Sequence, residues 1–422
     1  MGFFSKKKKF QIEPTRLCIF EDETVASFEP LHYFHPVWEL MQGTMPRYHR
    51  FALAFPDLLT SLSCRDELAP VADLGDDITT NNLEAGEYLF VNARVAHPDR
   101  LAQIIKLAGN GVMYVAHDTI VAARVILTEN RKGNIYGYLK EIRGSIPNEE
   151  ISIKLYSYIW ELMLDNGGAL QENARAFPLG KQEGMVYATT VQVNPKNIFL
   201  APESVAESGV VLDATEGPII IEHGARIMAN SVIKGPIYIG HNTVIKAGAT
   251  LYGGTTIGHT CKIGGEVEDS IILPFTNKQH YGFVGHSYIG SWCNLGAGTT
   301  TSDLKNTYSP IRVHLSGAPV DTGQLFIGLL MGDHVKSGIN SMFAGGTNIG
   351  PISNVFGPGF QPKYLPPFSW HNTLDGTEEY MFDKATEVTS RVMRRRDQEF
   401  TEVQQEYFKK VFSKTKKLRT EI

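Results

Sequence analysis

His280 and His286 stand six residues apart in the middle of a glycine-rich tract. An imidazole that is neutral near physiological pH takes up a proton, so either ring is of the type needed for proton-transfer chemistry. Lys246, Lys262, Lys278, Arg312 and Lys336 lie in the same tract and are of the type that holds an anionic group, although each also reads as an ordinary surface residue. The four cysteines, Cys18, Cys64, Cys261 and Cys293, are far apart and form no C-x-x-C pair. That excludes a disulfide scaffold and a zinc ribbon, and it fits a reducing cytoplasm.

What must position these residues is a repeat. Of 40 glycines in 422 residues, 25 fall between Gly217 and Gly359. Ile221, Ile227, Ile233, Ile239, Ile245, Leu251, Ile257 and Ile263 recur at a period of six without a slip. A helix face repeats at three and four, whereas six is a multiple of the strand period of two. The pattern is that of hexapeptide repeats in a parallel β-helix. Each hexad gives one short strand and one corner, with the aliphatic pointing inward and small residues turning the chain. Three hexads make a coil. The period stops after Ile263 and returns at Ile289 and Leu295, and then at Leu325, Met331, Ser337, Phe343, Ile349 and Val355. The segments near 266–284 and 300–324 are therefore expected to leave the coil.

The flanks lack this period. Residues 17–20, 86–95 and 111–117 read as strands and 153–170 as a helix ending at Gly167 and Gly168, a mixed pattern expected of an α/β domain. Residues 172–200 read as a link to the β-helix. After a proline-rich stretch, 377–417 reads as an amphipathic helix. The expected organisation is a basic tail at 1–13, an α/β domain at 14–185, a β-helix at 186–360 and a C-terminal extension at 361–422.

Composition limits the function. With 40 basic and 45 acidic residues the net charge is -5, and the hydrophobic share is 42%. The balance argues against a general nucleic-acid binder, and no apolar run is long enough for a membrane span.

The segment 277–299, NKQHYGFVGHSYIGSWCNLGAGT, resembles the acetyltransferase half of the bifunctional N-acetylglucosamine-1-phosphate uridyltransferase / glucosamine-1-phosphate acetyltransferases. The later run GDHVKSGINSMFAGGTNIG at 332–350 resembles the coils that follow it there. The likeness is to the sugar-1-phosphate nucleotidyltransferase-like branch, with FEDETVASFEPLHYFHPVWEL, LFVNARV and the Trp160 region carrying a weaker resemblance over 16–190. It implies a nucleotidyltransferase-like α/β domain, a left-handed parallel β-helix and a C-terminal helix. It further implies a homotrimer in the cytoplasm that acetylates an amino-sugar phosphate or sugar nucleotide from acetyl-CoA, without a metal in the acyl site. By position, His280 matches the general base and Asn294 the family's asparagine. Ala297, Gly298, Gly338 and Asn340 match positions toward acetyl-CoA, and Phe283 replaces a tyrosine at a substrate position. His286 falls where the family has aspartate. The family's phosphate-binding lysine and arginine align with Glu268 and Thr250, so Lys246, Lys262, Lys278 and Arg312 become the candidate substrate cations.

The N-terminal likeness departs further from the family. No glycine-rich loop precedes PLHYFHPV, Val37 stands at the lysine position, and Asn92-Ala93-Arg94 stand where a magnesium-binding Gly-Asp is expected. Magnesium is implied only if this domain is active. The alternatives are a sugar-1-phosphate nucleotidyltransferase with a non-standard site using Glu21, Asp22 or Arg94, a non-catalytic sugar-nucleotide-binding scaffold, and a carbonic anhydrase on the same β-helix, which needs three zinc histidines.

Overall fold

The computed structural model describes residues 12–72, 74 and 78–420; residues 1–11 of the expected basic tail lie outside the described residues. The chain forms two compact units. One comprises the residues up to Ala26, His35–Leu40 and Pro46–Ser157, and the other Ser27–Phe34, Met41–Met45 and Tyr158 onward.

The first unit is built on a six-stranded sheet. Its strands run in the order Asn148–Glu150, Val112–Ala116, Thr119–Leu127, Gly86–Asn92, Arg16–Phe20 and Leu59–Ser63. Arg16–Phe20 pairs in parallel with both neighbours. Thr119–Leu127 is antiparallel to the strands on either side of it. Leu17, Cys18, Ile19 and Phe20 are all fully buried, as expected for a central strand covered on both faces. The three expected strands are present.

In the second unit the hexads form a three-faced parallel β-helix, the architecture expected from the repeat. Successive coils hydrogen-bond strand to strand. One face begins Ile198–Leu200, Ile219–Ile221, Ile237–Ile239; another begins Met185–Val186, Val205–Ala206, Arg226–Ile227; the third begins Val191–Val193, Val211–Asp213, Val232–Lys234. Inward residues stack in columns, such as Leu200, Ile221, Ile239, Ile257, Ile272, Ile289, Met331, Ile349 and Leu365, and form one continuous core.

Four expectations are corrected here. First, 266–284 does not leave the coil: Glu266–Glu268, Ile271–Ile272, Asn277–Lys278 and Phe283–Gly285 are rungs in register. The corners shorten, so Ile263 is followed inward by Val267, Ile272 and Lys278, and the hexad count slips. By contrast, the chain does leave the coil after Thr301 and forms the antiparallel hairpin Arg312–Leu315/Ala318–Asp321. Second, 172–200 holds the first coil rather than a bare link; Gln192 takes the inward register of Leu212 and hides the period. At the other end Tyr364–Leu365 and Ser369–Asn372 add a coil beyond residue 360, while Leu325 is 41% exposed and not inward. Third, the 153–170 helix is two short helices, Ile159–Leu164 and Asn166–Asn173, with both glycines inside the second. Asn166 donates to the Gly254 carbonyl (2.8 Å) and to Thr256 (3.0 Å), and a Cβ on Gly167 would sit 3.7 Å from Gly254 Cα. Small residues thus let this helix lie on the β-helix face. Fourth, the C-terminal helix is broken into Phe382–Arg394, Glu402–Lys414 and Lys416–Thr420. Asp397 turns the chain at a φ of 56°, and Thr401 with Gln404 forms a capping box for the second helix.

Candidate functional site

The short strands of the β-helix place equivalent residues of successive coils about 4.8 Å apart in a row. His280 follows the rung Asn277–Lys278, Ala297 and Gly298 follow Asn294–Leu295, and Gly338 and Asn340 follow Lys336–Ser337. These three rungs are neighbours in one sheet, so the five residues line one corner of three consecutive coils. Backbone bonds tie the corner together: Gly298 N–H to the Tyr281 carbonyl (3.0 Å) and Asn340 N–H to the Ala297 carbonyl (2.7 Å). Tyr281 donates its hydroxyl to the Asn340 side-chain oxygen at 3.3 Å. Gly298 is required: its φ is 72° and a Cβ there would lie 2.1 Å from that same oxygen. The His280 side chain is exposed at this corner, and Lys246 occupies the same corner two coils earlier.

Asn294 and Lys262 lie on the adjoining flat face. Lys262, Asn277, Asn294 and Lys336 form one outward row over four coils. Lys262, Asn294 and Lys336 line a cavity with Arg395 and Arg396 from the C-terminal segment.

The other expected residues are elsewhere. Lys278 points into the core in the column of Ile263 and Leu295, only 2% exposed. Its ammonium donates to the carbonyls of Gly264 (2.7 Å), His280 (3.1 Å) and Gly282 (2.6 Å). Burial lowers its pKa to about 8. It shapes the 280–282 corner from inside and does not face a ligand. Phe283 is half-buried on the third face, opposite Glu266. Arg312 is exposed on the hairpin, 4.0 Å from Asp321.

His286 sits apart from the His280 corner. Its Nδ1 is 2.8 Å from Asp303 Oδ2 and its Nε2 is 3.6 Å from Asp269. Burial works against charge on this ring, but the Asp303 hydrogen bond and the charges of Asp269, Asp303 and Glu268 outweigh it and raise the pKa above the ordinary histidine value. The ring stacks on Phe326 at 5.0 Å. Neither Asp303 nor the Arg395–Arg396 pair was singled out from the sequence. Asp303 lies just past the N-L-G-A-G-T run, but only the coil register brings it to His286.

In the first unit, the acidic groups are already engaged. Arg94 donates to Asp22 Oδ2 through Nε (2.9 Å) and Nη2 (2.7 Å), and Asn92 donates to the same oxygen at 2.8 Å. Thr24 donates to the other oxygen from its hydroxyl (2.7 Å) and its N–H (3.0 Å). Glu21 accepts from Val37 N–H (2.7 Å) and from Arg65 Nε (3.2 Å). This set of residues does not fit a magnesium site, because the carboxylates are already neutralised by two arginines.

Comparison with known proteins follows the same two-part division. Residues 17–182 match the sugar nucleotidyl transferase family, and residues 218–253 match the bacterial transferase hexapeptide family. Fold and matches together define a sugar-nucleotidyltransferase-like domain followed by a hexapeptide-repeat β-helix. Over part of its length the chain is similar to bifunctional sugar-1-phosphate nucleotidyltransferase/acetyltransferases. The bifunctional protein GlmU of Methanococcus aeolicus is 29% identical over 302 residues, covering 65% of this chain and 72% of that protein. The bifunctional sugar-1-phosphate nucleotidylyltransferase/acetyltransferase of Sulfurisphaera tokodaii is 34% identical over 143 residues, 33% of this chain and 36% of that protein. With GlmU of Methanococcus maripaludis strain C7 the match is 39% over 90 residues, 21% of this chain and 22% of that protein. The chain therefore spans between a fifth and three quarters of the length of these three relatives.

Proposed function

We propose that the protein is an acetyltransferase that uses acetyl-CoA and acts on an amino-sugar phosphate or sugar nucleotide, with His280 as general base. The carrying observation is the exposed His280 imidazole on the same corner as Ala297, Gly298, Gly338 and Asn340. A protonated amine has no lone pair for attack, so a neutral imidazole beside it takes the proton as the nitrogen attacks the thioester carbonyl. Asn294 and backbone N–H groups are the donors for the developing oxyanion. Lys246 and Lys262 are the substrate-binding cations this reading retains. Flat β-helix faces suit a cytoplasmic homotrimer with the site between neighbours, a state that light scattering tests directly.

The test is release of free CoA from acetyl-CoA in the presence of glucosamine 1-phosphate and a panel of amino-sugar nucleotides. Turnover that needs both an acceptor and His280, and survives His286→Ala, supports the reading. Release that is unchanged in His280→Ala refutes the assignment of the base, and no release with any acceptor refutes the activity for that panel.

A second reading is sugar-1-phosphate nucleotidyltransfer, which the match over 17–182 favours. The engagement of Asp22 and Glu21 by Arg94 and Arg65 weighs against it. Pyrophosphate release from a nucleoside triphosphate with magnesium and a sugar 1-phosphate decides it.

A further inference from the structure

The last helices carry a face of one sign that neither the acyl site nor the fold accounts for. From Tyr407 to Thr420 the chain holds Lys409, Lys410, Lys414, Lys416, Lys417 and Arg419 and no acidic residue, in a protein whose net charge is -5. Tyr407, Phe408 and Val411 turn the apolar side of the helix Glu402–Lys414 inward, and all of these lysines are exposed. Arg419 differs from them. Its side chain is 3% exposed, it donates to Glu379 (2.9 Å) and to the Phe412 carbonyl (2.7 Å), and it lies over the Phe412 ring. Arg419 anchors the segment, and the lysines form its surface.

Two ordinary explanations fall short. A helix C-terminus favours cations, but the effect fades within the last turn, and Lys409 and Lys410 precede that turn. Surface charges are commonly offset by opposite ones. Here Lys409, Lys410 and Lys416 form no ion pair among the described residues, and the acids of the helix, Glu402 and Glu406, sit toward its other end. Lys410 and Lys414, four apart on one helix face, repel each other.

Beside this face the end of the β-helix exposes apolar side chains. The strands Ser369–Asn372 and Gly376–Glu379 form a hairpin whose tip carries Leu374, 76% exposed, and Met381 just beyond it is 59% exposed. Arg419 ties this hairpin to the helix through Glu379, and Phe412 packs on Phe368 and Phe382 with ring centroids 5.0 and 5.2 Å apart. Asp375 and Glu378 on the hairpin are exposed too, but the lysines outnumber them. Lysines next to exposed apolar side chains suit the boundary of an anionic bilayer, where ammonium groups meet headgroups and the apolar groups enter the acyl edge. A nucleic acid would use the cations and leave the apolar tip in water.

We infer that the C-terminal helices and the adjoining hairpin tip form a docking surface for an anionic lipid bilayer, with the lysines on the headgroups and Leu374 in the interface. The inference does not depend on the proposed acyl transfer.

Co-sedimentation of the full chain tests it, using phosphatidylcholine vesicles with about 30% phosphatidylglycerol against phosphatidylcholine alone, at about 0.15 M salt. Each lysine at such a surface is worth about fivefold in binding. Lys409→Gln/Lys410→Gln/Lys416→Gln should therefore bind the anionic vesicles at least tenfold more weakly. It is expected to keep the wild-type melting temperature, because all three side chains are exposed. Leu374→Ser should weaken binding about fivefold, a change that electrostatic adsorption alone does not produce. Lys6–Lys9 stay in place in every variant, so attachment through that run would show as a triple variant that binds like the wild type. That result overturns the inference. So do absence of binding to the anionic vesicles, equal binding to the neutral ones, a Leu374→Ser variant that binds like the wild type, and displacement of the vesicles by duplex DNA at equal phosphate concentration. Should the triple variant fail to fold, Lys409→Gln/Lys410→Gln serves with the same expected direction. Acetyltransferase activity is not the readout, so failure of this surface is separable from failure of the proposed reaction.

Discussion

Arg94 Nη2 lies 2.7 Å from Asp22 Oδ2, with the two side chains only 6% and 1% exposed. Burial alone would raise the Asp22 pKa, but the charge of Arg94 and hydrogen bonds from Arg94, Asn92 and Thr24 hold it below the ordinary value. Arg94→Met leaves the carboxylate buried and uncompensated, and denaturant unfolding should show a loss of about 3–5 kcal/mol. A lowered pKa stabilises the fold fully above the unfolded value of about 3.9, and that contribution disappears as the pH falls below it. The acid limb of the stability profile should therefore flatten in Asp22→Asn/Arg94→Met.

His286 has the opposite sign. Its raised pKa contributes stability that is complete below the unfolded value of about 6.5 and is lost as the pH climbs through the folded value. Removing the Asp303 charge with Asp303→Asn should lower the histidine midpoint, read by NMR titration. The stability difference between pH 6 and pH 8 should shrink with it. An unchanged midpoint would show that Asp303 does not hold the ring.

The buried thiols set an alkaline limit. Cys18, Cys64, Cys261 and Cys293 are all buried and free, and burial pushes each thiol up, Cys261 to about 12. Below the unfolded thiol value of about 8.5 both states are protonated; above it the unfolded chain ionises first and stability falls. A colourless-to-yellow thiol reagent should react with native protein no faster than the protein opens. Single Cys→Ala or Cys→Ser variants should lessen the alkaline loss.

Lys278 is a structural lysine in the core. Lys278→Met keeps the stem but orphans the Gly264 and His280 carbonyls, which the ammonium now satisfies. The expected cost is about 1–3 kcal/mol for each orphaned group, measured by guanidinium unfolding. Equal stability of Lys278→Met and wild type would contradict this role.

The β-helix was legible because its inward residues report on a single geometry. Wherever the period held, from Ile221 to Ile263 and from Met331 to Val355, the coils are in register. It failed where a polar residue took an inward place, as Gln192 and Lys278 do, or where a corner shortened, as between Ile263 and Val267. Corner length leaves no periodic mark on the aliphatics. The C-terminal helices showed their apolar face, but the break at Asp397 rests on one residue with positive φ. At the site, a linear motif led to His280, Ala297 and Gly298, whose corner is made by adjacent rungs. The cation cavity was half visible: Lys262 was named, but Arg395 and Arg396 are more than 130 residues further along the chain, and no local pattern links them to it.

The excursion after Thr301 has one more consequence. Tyr288–Ile289 pairs directly with Leu330–Met331, although the chain between them makes the two rungs Asn294–Leu295 and Thr300–Thr301 and then a hairpin. The stacking of Ile289 on Met331 thus continues across that length of chain. The hairpin is nonetheless seated on the scaffold: Ile311 and Val313 are fully buried, Asn348 of the rung Thr347–Ile349 donates to the His314 carbonyl (2.8 Å), and Ser316 N–H donates to Glu29 (2.6 Å). Room for new surface chemistry therefore lies on its outer strand, Ala318–Asp321, whose side chains are mostly exposed, and not on the inner strand that meets the coil.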